Sequence, residues 1–305
     1  MSEKIALVGF SINSEIYTSY DGKTQLEKAP LLSMGAGIGG TSANVATAIQ
    51  KFGGKSKLLA LKGMNDDFAT HILDYVLRNC NIPYQNYPIL NRSHIALLPD
   101  DGIQTKKVFG LKGGIIQSKL PETLAEIEKE FGQWRIATGV RVEEVDLVMC
   151  LFNKHVGFRS LNPRMELIKN EKVFHELLKD TDLLICNQSE YHACKVTSPS
   201  DLHKYGPSLV IITDGENGGM FSHKTTGAEV FSACGDYIES GAKLFNTGIG
   251  DWFHGSFISK CMELGKPFSD LTLQEVLGFI SFAARVAGKK ITMEGASNGP
   301  GLLDL

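Results

Sequence analysis

No run in this chain reaches the roughly 18 consecutive apolar residues of a membrane-spanning helix, which sets membrane proteins aside. The first apolar stretch, Lys4-Ile-Ala-Leu-Val-Gly9, is too short for a secretory signal core and carries no cleavage pattern. Cysteine is sparse and scattered: Cys80, Cys150, Cys186, Cys194, Cys234 and Cys261 form no CxxC pair and no zinc spacing. Isolated thiols belong to a reducing compartment, so a cytoplasmic protein with no membrane partner is expected. Neither sign of charge prevails. With 31 Lys and Arg against 34 Asp and Glu, the formal net charge is −3. Nucleic acid would need a basic field, so any anionic ligand must be held by local groups. A Walker A motif is missing as well, because Gly22-Lys23-Thr24 and Gly54-Lys55-Ser56 lack the upstream glycine. A P-loop kinase is excluded.

Hydrophobic residues make up 43% and charged residues 21%, the usage of a globular protein. Short apolar runs alternate with longer amphipathic ones, the pattern of a mostly parallel sheet with helices on both faces. Strands are predicted over Ile5–Gly9, Lys57–Leu61, Leu147–Leu151, Leu183–Cys186 and Leu209–Thr213. Helices are predicted over Ser42–Phe52, Phe68–Asn79, Pro121–Gly132, Asn170–Lys179, Trp252–Leu264 and Leu271–Ala287. Asn187 follows the Leu183 run at once and so stands at a strand's carboxyl end, the edge where open α/β sheets bind ligands. Residues 12–32 and 93–110 break the pattern, with extended alternation and turn signals at Asp21-Gly22 and Asp101-Gly102. Together they are expected to form a small β lid over a cleft. Internal repeats and linkers are absent, so one α/β domain with a lid is expected over all 305 residues.

Three glycine clusters interrupt the elements. Gly35-Ala-Gly37-Ile-Gly39-Gly40 precedes a helix with Asn44 in its first turn, and matches the dinucleotide pattern GxGxxG. Asp66 even lies near the ribose-binding distance, but the first strand does not feed that turn directly, which disfavours the dinucleotide reading. Gly215-Glu-Asn-Gly218-Gly219 follows a buried strand and reads in isolation as a hairpin turn. Gly248-Ile249-Gly250-Asp251 opens the Trp252 helix. Amides at a helix start attract an anion, while the neighbouring carboxylate repels it. Asp251 therefore reads either as a plain helix N-cap or as the base that takes a proton from an attacking hydroxyl. The nearby His254 and Ser256 do not form a triad with Asp251 on one helix, and no GxSxG elbow is present. His254 reads as a packed helix residue. His192 and Cys194 lack the second pair a metal site needs. Leu277, Phe279, Phe282 and Val286 read as a core face.

Taken in order, the clusters resemble the ribokinase-like, or PfkB, family of carbohydrate and nucleoside kinases, over nearly the whole chain. Gly39-Gly40-Thr-Ser-Ala43-Asn44 resembles its N-terminal signature, nearest the fructokinase-like branch. Gly63-Met-Asn-Asp66 resembles the segment that follows, and Leu161-Asn162-Pro163-Arg164 the Asp-Pro-Asn-x-Arg stretch of sugar kinases. Asn187-Gln-Ser-Glu190 is similar to the Asn-x-x-Glu motif, Thr213-x-Gly215-x-x-Gly218 to the nucleotide loop, and Gly248-Ile-Gly250-Asp251 to the Gly-Ala-Gly-Asp signature.

The resemblance implies a ribokinase-like α/β fold and magnesium-dependent transfer of the ATP γ-phosphate to an alcohol. It makes Asp251 the base and the Gly248, Ile249 and Gly250 amides the anion hole. Ser14, Gly39, Gly40, Asn44 and Arg164 fall at the substrate site. Asn187, Thr213, Gly215, Gly218 and Asn246 fall at the ATP site, with Glu190 and Asn187 ordering magnesium through water. The exposed edge of the lid is expected to pair two subunits into a homodimer. The chain departs from the family at Ser14, where a substrate-binding Asp is usual, with Asn13 and Glu15 beside it. Phe245-Asn246 replaces an Asp-Thr pair, which leaves a potassium requirement open. Thr41 stands where the sugar-phosphate branch has lysine, so a non-phosphorylated sugar or sugar acid is the expected substrate. The alternatives are a nucleoside (adenosine-like) kinase and a nucleotide-binding regulatory homologue with little turnover.

Overall fold

The computed structural model describes residues 4–20, 31–100, 109–153, 157–232, 245–293 and 297–305. In chain order the elements are β1 (Ile5–Phe10), β2 (Asn13–Tyr20), β3 (Leu31–Gly39), α1 (Thr41–Lys51), β4 (Lys55–Gly63), α2 (Phe68–Asn79), β5 (Tyr84–Leu90), β6 (Ile95–Asp100) and β7 (Phe109–Leu111). There follow α3 (Leu120–Ile127), β8 (Trp134–Val140), α4 (Val145–Phe152), β9 (Phe158–Pro163), α5 (Met165–Lys169), α6 (Glu171–Leu178) and β10 (Leu183–Asn187). The chain closes with α7 (Gln188–Ala193), β11 (Leu209–Thr213), β12 (Gly219–His223), β13 (Gly227–Phe231), α8 (Ile249–Leu264) and α9 (Leu273–Lys290).

The main sheet runs β13-β12-β11-β10-β9-β8-β1-β4-β5. Pairing is parallel from β5 to β11 and antiparallel at β12 and β13. Val8, Leu58, Ile136, Leu183 and Ile211 face one apolar layer with α1, α2, α8 and α9. Leu7, Leu59, Ala137, Leu184 and Val210 face another with α3, α4, α6 and α7. Strands buried on both faces read as continuous apolar runs, which is why several were legible in the sequence. The small sheet, ordered β3-β2-β6-β7, takes up the parts of 12–32 and 93–110 that are described. The Asp21-Gly22 and Asp101-Gly102 turns lie outside the described residues. None of the described helices is long and apolar enough to cross a membrane.

Two predicted elements are corrected. Leu147–Leu151 is not a strand but part of α4, whose Val145, Val148 and Phe152 are buried while Asp146 is exposed. A short apolar run cannot be assigned by periodicity alone, and this one is buried against α3, α6 and β8. The strands of that region are β8 and β9 instead. The helix predicted to reach Gly132 ends at Ile127.

β1 sits between β4 and β8, so the chain leaves it in one direction and later returns on its other side. That reversal of strand order opens a crevice at the carboxyl ends of β1 and β8.

Candidate active site

Both ends of the crevice are built by glycine. Gly40 caps α1 with φ +88°, and a Cβ there would lie 2.4 Å from the Ser11 carbonyl oxygen. Gly39 meets the Glu15 carboxyl group as closely, with 2.1 Å between that group and an added Cβ. A side chain at Gly40 would meet fixed backbone, whereas one at Gly39 would displace the Glu15 carboxyl group. Ser42, one residue into α1, ties the junction: its Oγ accepts from Ser11 N at 3.0 Å and bonds Thr138 Oγ1 at 3.0 Å. Gly35 and Gly37 lie within β3 and pair with β2, and the turn into α1 falls at Gly40.

Across the crevice, α8 starts at Gly248, which has left-handed backbone geometry. This helix is buried nearly all round, from Trp252 to Met262, and packs against both α1 and α9. Its first turn is anchored where the buried Trp252 follows Asp251. Asp251 lies in that turn but is not its cap, since no side chain caps α8. Its carboxylate instead accepts from Asn44 Nδ2 at 2.8 Å. Burial pushes the Asp251 carboxyl up to about 7; Glu15 and Glu190 push the same way, while Asn44 and Arg164 oppose it. Beside Gly250 the space is open, since an added Cβ would meet nothing within 4 Å.

Glu15 is 4% exposed and accepts from the Tyr17 hydroxyl at 2.5 Å. Burial raises its carboxyl above the usual range, against hydrogen bonds from Tyr17 and the Gly40 amide and the charge of Lys290. Ser14 is fully buried. Its Oγ and the Asn13 and Asn44 Oδ1 atoms are buried polar atoms that have no hydrogen-bond partner among the described residues. Such orphans are rare in folded proteins and mark places where a ligand hydroxyl or water belongs. Arg164 Nε donates to the Gly139 carbonyl at 2.8 Å and Nη2 to Ser11 Oγ at 3.3 Å. Among the described residues it has no carboxylate partner, yet its charge bears on Asp251 and Glu190.

Further along the same edge, β10 ends at Asn187 and β11 at Thr213, paired in register. Asn187 and Glu190 cap α7 reciprocally: Asn187 Oδ1 accepts from Glu190 N at 2.9 Å, and Glu190 Oε2 accepts from Asn187 N at 2.9 Å. Gly215 and Gly218 have positive φ in the turn between antiparallel β11 and β12, so the hairpin reading holds. Asn187, Glu190, Thr213, Asp214 and Gly215 line a cavity of about 630 Å³. Asn246 is exposed in the loop before Gly248.

Solved structures that match nearly the whole chain share its fold. Ribokinase from Giardia lamblia is 18% identical, with 99% of this chain and 98% of that one covered at a TM-score of 0.72. Phosphofructokinase-2 from Escherichia coli, in complex with potassium, is 14% identical over 100% and 97%, also at 0.72. The Methanocaldococcus jannaschii nucleoside kinase, an archaeal member of the ribokinase family, is 15% identical over 98% and 95%, at 0.68. This chain has the ribokinase-like fold. No protein-family profile matches it, and no curated protein matches its sequence.

The ribokinase-like fold gathers the predicted residues from both ends of the chain. Gly39, Gly40 and Asn44 stand on one wall and Gly248, Ile249, Gly250 and Asp251 on the other. Asn187 and Thr213 stand on adjacent strand ends, with Glu190 and Arg164 acting on Asp251 through charge. His254 packs as expected, 2% exposed and bonded to Ser160 Oγ at 2.8 Å. The expected core face of α9 is only partly so: Val286 is buried, while Leu277, Phe279 and Phe282 are half-buried. Sequence reasoning missed Tyr17, Ser42, Thr138 and Lys290. A serine, a threonine or a terminal lysine carries no local signal that sets it apart from a surface residue.

Proposed function

We propose that the protein is a kinase that transfers the γ-phosphate of ATP to a hydroxyl of a non-phosphorylated sugar or sugar acid. The observation that carries this reading is the Asp251 carboxylate, fixed by Asn44 in the first turn of α8. A base near pKa 7 is matched to proton abstraction at neutral pH. Asp251 takes the proton of the attacking hydroxyl, and the Gly248, Ile249 and Gly250 amides meet charge developing on the transferred group. The orphan oxygens of Asn13, Ser14 and Asn44 accept from substrate hydroxyls, as a polyol would offer them. Glu15 supplies the carboxylate that position 14 lacks. Gly39 and Gly40 let the substrate approach the backbone, and Arg164 faces an anionic group of the nucleotide or of a sugar acid.

Asn187, Thr213, Gly215, Gly218 and Asn246 line the nucleotide side. Among the described residues no three His, Cys, Asp or Glu side chains gather to hold a metal alone. Glu190 and Asn187 therefore suit a magnesium ion carried in by the nucleotide and met through water, where it would offset phosphate charge. Potassium is not favoured by the residues present, because Phe245-Asn246 brings no carboxylate to the loop. The small sheet acts as a lid that excludes water from the transfer, with 1–305 as one kinase domain. Met34, 73% exposed on its edge strand β3, supports pairing of two subunits through the lid.

The test is ADP release with magnesium across ketoses, aldoses, sugar acids and nucleosides. Turnover on a sugar or sugar acid is expected; turnover confined to nucleosides, or on none, would overturn the substrate assignment. Asp251→Asn should lower turnover about 10²–10⁴-fold, the scale of general-base catalysis, while ATP still binds. Retained turnover would remove Asp251 from the chemistry.

A further inference from the structure

Lys290 is the last residue of α9 and has 0% exposure. Lysines are almost never buried to that extent unless paired. Its ammonium has three donors, of which one goes to the Met293 carbonyl at 2.8 Å. Among the described residues no carboxylate lies within ion-pair distance of it, yet Glu15 and Asp251 both act on it through charge. The carbonyl of Ile291, the next residue, accepts from Phe245 N at 2.7 Å. That bond stitches the end of α9 to the loop leading into Gly248. The negative end of the α9 dipole adds to the attraction for a cation. Burial lowers the ammonium to about 8 against the pull of Glu15 and Asp251, so it stays charged at neutral pH. Burying a charge without an ion pair is costly, and among the described residues only the Met293 carbonyl meets this one.

We propose that Lys290 is a built-in cation of this site, placed behind the Phe245–Gly248 loop to hold that loop and the charge balance around Glu15 and Asp251, so that the reaction needs no monovalent metal ion. This inference rests on the kinase reading above. Lys290 is a positioning residue: it acts through the two carboxylates and the loop rather than on the substrate.

The experiment compares wild type with Lys290→Ala and Lys290→Arg in sodium, potassium, methylammonium and choline salts at equal ionic strength. Wild-type turnover should not change between salts. Lys290→Ala should lose about 10²-fold, the scale of one lost preorganised electrostatic group, and regain part of it in potassium or methylammonium. Lys290→Arg should keep more turnover than the alanine variant. A purely structural lysine would show no rescue by small cations. A wild-type requirement for potassium, or an alanine variant that is fully active or not rescued, would overturn the proposal.

A second readout does not depend on turnover. Exchanging sodium for potassium should raise the melting temperature of Lys290→Ala and leave that of wild type unchanged. If no substrate is turned over, the kinase reading fails while this arm still decides the role of Lys290. A potassium shift in wild type, or none in a folded alanine variant, would refute it.

Discussion

Asp251 shows how one residue's environment can favour chemistry over stability. Its carboxyl is raised to about 7 chiefly by burial, so the folded protein holds a proton there that the unfolded chain has already released. The cost of ionising it in place appears as pH rises from its ordinary value through about 7, and stability falls across that window. Above pH 7, Asp251→Asn should therefore melt at a higher temperature than wild type while being catalytically poor. A variant less stable at pH 8 would count against the burial argument. The rate follows the opposite sign, because the base works only when ionised. The quantity kcat/KM should fall about tenfold per unit below pH 7 and level off above it. A profile flat between pH 5 and 8 would show that another group sets the rate. Asp251 was visible in the sequence beside its glycines; the shift was not, because Glu15, Asn44, Arg164 and Glu190 reach it from distant parts of the chain.

At the scale of elements, the junctions between strands and helices decide whether the site exists. The β3–α1 corner turns at Gly40, where φ +88° and the nearby Ser11 carbonyl leave no room for a side chain. Gly40→Ala should destabilise the fold by about 2 kcal/mol or more, read as a shift in denaturant midpoint. It should also weaken sugar binding more than ATP binding, since α1 carries Asn44. An unchanged midpoint would mean that the corner relaxes freely. Asn187 and Glu190 were legible as an Asn-x-x-Glu spacing, and the structure shows the same pair as a capping box on α7. α4 was not legible. Its apolar run fits a buried strand and a buried helix equally, and contacts with α3, α6 and β8 made the choice.

For the whole molecule, the reversal of strand order around β1 brings Asn44 to Asp251, within reach of the charges of Glu15, Arg164 and Glu190. The small sheet packs Ile16 and Ile95 against Ala69 of α2, with β3 and β7 as its edges. Its exposed Met34 and Leu97 are the apolar contacts through which the proposed dimer would form. Sedimentation velocity should show a dimer for wild type and a shift toward monomer for Met34→Lys, with catalytic constants for the monomer reduced if the lid is steadied by its partner. A wild-type monomer at micromolar concentration would dispose of the pairing.

Local pattern was enough to determine the alternation of strands and helices, the glycine corners and the family of carboxylate and amide groups at the start of α8. These depend on neighbours a few residues away, and periodicity and turn chemistry record such neighbours directly. The tertiary structure alone decided that Glu15 is buried against Gly39 and bonded to Tyr17, that Asp251 bonds to Asn44 instead of capping its helix, and that Lys290 is fully buried at the end of α9. Each of these involves groups far apart in the chain, whose burial and charge act on one another only after the strands have stacked side by side.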